Sequence, residues 1–263
     1  MKYNHETTRH FHPMRIFTLL LICLIPLSLW LQAEGYFDHL EPAHISYLKK
    51  DKNTALPKRP QNNLIQKPQL DIAALLASDT TTVSEEPVFQ TAAFIGDSIT
   101  EGLQILAAFD TLPIMAGRGL TLLKATENLA EWSARKPESI FILLGINDMN
   151  YSSVDARVYC NRYNDLLDAL TKYYPDSTLY VQPILPITVD YESALISNKK
   201  ITEFNTALKK LCAEKGVAYL DISAPFCLQD GSLNPEMSPD GLHLYFRYYG
   251  AWLGMLKYAL DYN

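Results

Sequence analysis

Cysteine is scarce, with four in 263 residues. That is too few for a scaffold stapled by disulfides, so a hydrophobic core must hold whatever part folds. A basic excess is missing too. The net charge is −6, and all of it lies late in the chain. Residues 1–90 balance nine basic against nine acidic side chains, whereas residues 91–263 set fourteen against twenty. A duplex nucleic-acid binder needs the opposite sign, and that class is set aside. No G-x-x-x-x-G-K-[ST] and no G-x-G-x-x-G occurs, so nucleotides are not indicated. No G-x-S-x-G elbow occurs, which argues against an ordinary α/β-hydrolase. Histidine is almost confined to the N-terminal regions, and His243 alone falls after residue 44.

What is present begins with a polarised N-terminus. Lys2, Arg9 and Arg15 precede an apolar run, Ile16 to Leu31, and Glu34, Asp38 and Glu41 follow it. Basic before and acidic after is the positive-inside arrangement, which leaves the remainder outside the cytoplasm. Extended to Ala33, the run spans roughly 27 Å as a helix against a hydrocarbon core of about 30 Å. Residues 1–33 are therefore expected to be a signal or anchor segment: a single-pass anchor with its N-terminus in the cytoplasm when uncleaved, a secretion signal when cut. Residues 34–88, punctuated by Pro57, Pro60 and Pro68 and rich in Lys, Asn, Gln, Ser and Thr, are expected to be mostly flexible stalk. Within it, Asp71–Ala77 has the character of a short helix lying on the folded domain. The His5, His10 and His12 group lacks a third-ligand spacing for a metal and is read as solvated tail.

From Phe89 the pattern changes to short apolar runs alternating with amphipathic stretches. Strands are expected at Thr91–Ile95, Leu112–Met115, Ser139–Leu144, Leu179–Pro183 and Val217–Asp221. Helices are expected at Ile99–Phe109, Leu122–Ala134, Val154–Tyr173, Ile201–Lys215 and Leu244–Tyr262. Such alternation implies a three-layer α/β/α domain over residues 89–263 with a mostly parallel sheet. In sheets of that kind the ligand site lies beyond the carboxyl ends of the strands. The residues there are Gly96-Asp97-Ser98-Ile99-Thr100-Glu101, Ala116-Gly117-Arg118-Gly119, Gly145-Ile146-Asn147-Asp148 and, before the last helix, Asp240-Gly241-Leu242-His243.

Each block has an ordinary structural explanation. Ser98 with Glu101 forms a capping-box pattern, the glycines can make a turn, and Asp240 can cap the last helix. Taken together on one edge they point to acyl transfer by an activated serine. A hydroxyl needs a neighbouring base to take its proton, and imidazole suits that work. A carboxylate must then hold the imidazole in the right tautomer. Ser98, His243 and Asp240 fill these roles. The oxyanion needs donors fixed in advance. The candidates are the backbone N–H groups of Ser98 and Gly119 and the side-chain amide of Asn147, with the start of a helix at Ser98 favouring negative charge.

These four blocks resemble those of the SGNH (GDSL-type) hydrolases, in order and over about Phe89 to Asn263. Gly96-Asp97-Ser98-Ile99 resembles the nucleophile block, Gly145-Ile146-Asn147-Asp148 the G-x-N-D block, and Asp240-Gly241-Leu242-His243 the D-x-x-H block. The second block departs from its usual N-x-G-x-x-G, because Ala116 or a neighbour stands where the asparagine would. The donor therefore lies between Gly117 and Gly119, with Gly119 preferred. The resemblance implies a flavodoxin-like five-stranded sheet and ester hydrolysis with neither metal nor cofactor, in the manner of anchored or secreted lysophospholipase-like esterases of bacteria. The expected substrate is an acylated small molecule or a cell-surface glycan carrying acetyl groups. The alternatives are a lysophospholipase or general short-chain carboxylesterase, and a noncatalytic surface-binding module on the same scaffold. Pro183–Pro186 and Tyr191 are expected to wall the site. The aromatic residues Tyr245, Phe246, Tyr248, Tyr249 and Trp252 are assigned chiefly to core packing, and Cys160, Cys212 and Cys227 leave one bridge open.

Overall fold

The computed structural model describes residues 69–105, 113–132 and 136–262. The expected signal or anchor segment, the histidine-bearing tail and the stalk up to residue 68 lie outside the described residues. Among the described residues no helix is long and apolar enough to cross a membrane.

Three short helices come first: α1 (Ile72–Leu76), α2 (Thr80–Ser84) and α3 (Pro87–Gln90). Asp71 and Asp79 cap the first two by accepting the N–H groups of Ala74 and Thr82, as short polar side chains do at a helix start. The α/β alternation then runs β1 (Ala92–Gly96), α4 (Ser98–Ile105), β2 (Ile114–Ala116), α5 (Leu122–Asn128), β3 (Ser139–Leu143), α6 (Ala156–Tyr173), β4 (Thr178–Val181), α7 (Asn198–Lys215), β5 (Ala218–Tyr219) and α8 (Tyr249–Tyr262). The five strands are all parallel in the order β2-β1-β3-β4-β5. The expected parallel α/β sheet is thus observed.

Strand side chains alternate between faces, and in β1 and β3 both faces are buried. Ala93, Ile95, Ile140 and Ile142 join one core with Tyr159, Tyr163, Leu166, Leu167 and Leu170 of α6, which recur at helical spacing. Ala92, Phe94, Phe141 and Leu143 join the other, with Trp252, Leu253 and Leu256 of α8. Rings of Phe94, Phe141 and Tyr180 stack across three neighbouring strands at 5.1 and 5.0 Å.

Element ends differ from the periodicity. Expected strand 217–221 shrinks to Ala218–Tyr219, and α5 passes into a 3₁₀ turn at Leu129–Trp132. The last helix starts at Tyr249 after a 3₁₀ turn at Phe246–Tyr248, five residues later than its apolar pattern indicates. Residues 243–245 instead serve a loop whose hydrogen bonds run elsewhere, as when Tyr245 N–H donates to the Met237 carbonyl.

The larger correction concerns residues 69–88, expected as stalk. The proposed short helix there is present as α1, but α2 and α3 were not expected. Leu70, Leu75, Leu76, Val83 and Val88 pack on the core beside α8. The seat is made by glycines. A methyl on Gly250 would meet the Ser78 carbonyl at 2.1 Å, and one on Gly254 would meet Leu75 at 2.7 Å. Few apolar residues suffice here because a matching groove receives them.

Candidate active site

β1 ends at Gly96, and the chain turns sharply into α4. Asp97, buried at 1 % exposure, accepts the Ile99 N–H on Oδ1 at 3.0 Å, so it is Asp97 rather than Ser98 whose side chain satisfies the helix start. The capping-box explanation of Ser98 fails on that observation. Oδ2 of Asp97 has no hydrogen-bond partner among the described residues. Burial pushes its pKa up to about 7, against the opposing effects of the Ile99 N–H and of His243.

Freed from capping, the Ser98 hydroxyl lies 2.9 Å from His243 Nε2. The other ring nitrogen, Nδ1, lies 2.6 Å from Asp240 Oδ2. Oδ1 of Asp240 accepts the backbone N–H groups of Leu242 and His243 at 3.0 and 2.9 Å. One carboxylate therefore sets both the loop and the ring it carries. Partial burial raises the Asp240 pKa, but the hydrogen bonds from His243 and Leu242 outweigh that and hold it below the ordinary carboxylate value. The loop is tied down on both sides. Ser238 Oγ accepts from Gly241 N–H at 2.7 Å, and the Gly241 carbonyl accepts from Thr188 N–H at 2.9 Å.

The two glycines after β2 behave differently. Gly117 donates its N–H to the Gly96 carbonyl at 3.3 Å, extending the ladder between β1 and β2. Gly119 sits at φ 74°, a conformation that favours glycine, and lines the same cleft as Ser98. Asn147, in the turn after β3, lines it too and gives one amide proton to the Leu120 carbonyl at 3.1 Å. Its turn needs Gly145, at φ 135°, where a methyl would meet Tyr159 at 2.6 Å. The structure thus brings Ser98, Gly119, Asn147, Asp240 and His243 to one cleft of about 760 Å³ at the carboxyl edge of the sheet.

Other expectations need correction. Ile184 and Leu185 are 2 and 3 % exposed and belong to the core. The segment is held by reciprocal hydrogen bonds between Ile184 and Asn205, so it braces the sheet edge instead of walling the cleft. The aromatic cluster divides. Trp252 is core and Tyr249 is buried with only its edge on the cleft, whereas Tyr245 and Phe246 are 38 and 48 % exposed and line the cleft. Glu101 and Arg118 line it too. Both fall within the blocks that the sequence places at this edge, but the sequence assigns neither a role in the site. Cys160, Cys212 and Cys227 are free thiols. Among the described residues no three His, Cys, Asp or Glu side chains gather as a metal-holding group.

Residues 94–245 match the profile of the GDSL-like lipase/acylhydrolase family. Comparison with curated proteins returns no match. Among solved structures, a Streptococcus pneumonia protein described as a platelet activating factor is similar at 26 % identity, with TM-score 0.57, over 70 % of this chain and 90 % of that one. A GDSL-like lipase from Bacteroides thetaiotaomicron is similar at 19 % identity and TM-score 0.54, over 69 and 93 %. A variant of an acetyl-xylooligosaccharide esterase from Geobacillus is similar at 15 % and 0.51, over 65 and 94 %. The profile covers more than half of the chain, including all four blocks, and the chain therefore belongs to the GDSL-like lipase/acylhydrolase family of ester hydrolases.

Proposed function

We propose that the chain is a serine esterase acting outside the cytoplasm, which removes small acyl groups, chiefly acetyl, from cell-surface glycans. The observation that carries the chemistry is the unbroken relay from Ser98 through His243 to Asp240, at 2.9 and 2.6 Å. In this proposal Ser98 Oγ attacks the ester carbonyl while His243 Nε2 takes its proton. The carbonyl oxygen becomes an oxyanion facing the N–H groups of Ser98 and Gly119 and the free proton of the Asn147 amide. The Ser98 N–H stands in the first turn of α4, where backbone donors have no partner within the helix. Collapse of the intermediate breaks the bond to the alcohol, which leaves with the proton from His243. Water then repeats the sequence on the acyl-serine and releases the carboxylic acid.

Supporting a glycan is the character of the rim. Tyr245, whose ring carries the Arg247 guanidinium on one face, and Phe246 are exposed aromatic groups at the cleft, and Glu101 and Arg118 offer groups suited to hydroxyls. An acetyl-xylooligosaccharide esterase shares the fold. Supporting the location is the order of basic, apolar and acidic residues across positions 2–41. A second reading, a lysophospholipase, is favoured by Leu242, Leu244 and Phe246 along the cleft.

The test is hydrolysis of an activated acetyl ester by the full chain. Ser98→Ala is expected to abolish turnover with an unchanged thermal midpoint, and retention of the wild-type rate would overturn the mechanism. A preference for long acyl chains would select the lysophospholipase instead.

A further inference from the structure

Two of the proposed oxyanion donors stand on separate loops. Gly119 follows β2 and Asn147 follows β3, yet their protons must meet one oxygen. Something has to fix the distance between those loops.

The residue after Asn147 does this. The Asp148 side chain has no exposed surface. Its Oδ2 accepts the N–H of Leu122, the first residue of α5, at 3.0 Å. Its Oδ1 takes the guanidinium of Arg162, from α6, at 3.0 Å. Leu122 is three residues past Gly119, and between them the Leu120 carbonyl accepts the Asn147 amide at 3.1 Å. The two loops are thus pinned at adjacent points, Leu120 to Asn147 and Leu122 to Asp148. The Asp148 N–H in turn donates to the Gly145 carbonyl at 3.1 Å.

A buried carboxylate is a costly way to join two loops. Burial raises the Asp148 pKa, and the Leu122 N–H and Arg162 only oppose that rise. Pairs of this kind contribute little to net stability compared with apolar packing. What they supply is one geometry, because a carboxylate with both oxygens engaged cannot slide.

We propose that Asp148, clamped by Arg162, is a positioning residue that sets the spacing of the Gly119 and Asn147 donors and so presets the oxyanion hole. The proposal rests on the serine-esterase reading above. Asp148 itself does not touch the substrate.

The experiment is a double-mutant cycle in the full chain, with hydrolysis of an activated acetyl ester as the readout. Asp148→Asn keeps the shape but can satisfy only one of its two partners. It is expected to lower kcat about 10- to 100-fold, as misplacement of a catalytic group does, with KM within about twofold. In an Asn147→Ala background the same substitution is expected to cost less than about threefold, because the donor it positions is already gone. Arg162, 28 % exposed, provides a second variant if Asp148→Asn does not fold. Arg162→Gln is expected to behave alike, with Arg162→Lys recovering part of kcat. Additive losses in the two backgrounds would overturn the proposal, since a purely structural residue lowers all variants equally. An active Ser98→Ala would instead remove the underlying mechanism, so the two failures are distinct.

Discussion

Asp240 holds His243 by two hydrogen bonds at once, through the backbone N–H at 2.9 Å and through the ring Nδ1 at 2.6 Å. The first bond shapes the loop and the second orients the imidazole. They can be separated experimentally. In Asp240→Asn, the remaining oxygen still accepts the backbone N–H groups, but an amide nitrogen faces Nδ1 and the wrong tautomer results. The expected outcome is a fall in kcat of about 10³-fold with a thermal midpoint close to wild type. Buried triad carboxylates lose about 10⁴ on this change, and Asp240 is 48 % exposed, so solvent screens part of its effect. Steady-state kinetics beside a melting curve checks it, and a large fall in midpoint with intact kcat would reverse the assignment.

Gly117 and Gly119 offer a matched comparison. A methyl group meets nothing within 4 Å at either position, and only Gly119 has positive φ. Gly117→Ala is therefore expected to change stability by less than about 0.5 kcal/mol. Gly119→Ala carries a backbone strain of about 1–2 kcal/mol and displaces a proposed oxyanion donor, so kcat is expected to fall at least about tenfold. Equal activities for the two variants would take Gly119 out of the oxyanion hole.

Asp97 makes stability depend on pH. The folded protein keeps its proton up to about pH 7, whereas an unfolded aspartate releases it near pH 3.9. Unfolding between those values releases a proton, so stability falls as pH rises from about 4 to about 7 and is level beyond. The contribution is at most about 4 kcal/mol. Asp97→Asn, which keeps the acceptor for Ile99, is expected to lose that slope and to exceed wild-type stability at pH 8. Denaturant midpoints across this range decide the matter, and parallel curves for both proteins would refute it.

The exposed rings of Tyr245 and Phe246 separate the substrate classes. The Tyr245→Ala, Phe246→Ala double variant is expected to raise KM at least about fivefold on an acetylated polysaccharide, the loss of roughly 1 kcal/mol of contact. A small activated acetyl ester should be turned over as before. Acetate release from both substrates is the measurement. The same loss on both would mean that the rings shape the catalytic loop and do not bind the alcohol.

The segment before β1 is expected to be structural. A chain beginning at residue 89 lacks Leu70, Leu75, Leu76, Val83 and Val88, which pack beside α8. Their partly buried surface is worth about 3–4 kcal/mol as an upper bound. Thermal melting of that chain against one beginning at residue 69 tests this. Coincident midpoints would return the segment to the role of spacer.

Much of the site was legible in the sequence because strand, turn and helix alternate there in a way that puts particular residues at one sheet edge. Ser98, Asn147 and His243 each follow an apolar run or precede the last helix, so chain order alone assigns them to the carboxyl end. The wall expected from Pro183–Pro186 was wrong for a local reason. An apolar run after a strand reads the same whether it faces a cleft or, like Ile184 and Leu185, the core. Of the segment before β1, α1 was legible as a short helix lying on the domain, but α2 and α3 were missed because their apolar residues are too few to fold alone and the groove on α8 that receives the segment lies far along the chain.

Local residue choice determined the parallel α/β class, the residue types that meet in the cleft and the glycines, since each depends on periodicity or on backbone freedom at one position. Tertiary structure alone decided the rest. It engaged the Gly117 N–H in the sheet and left Gly119 in the cleft. It sent Tyr245 and Phe246 to the surface while burying Tyr249 and Trp252, and it set Arg162 against Asp148. Those outcomes depend on which surfaces meet across long chain separations, where the free energy of burial is shared among many residues and belongs to no single stretch of sequence.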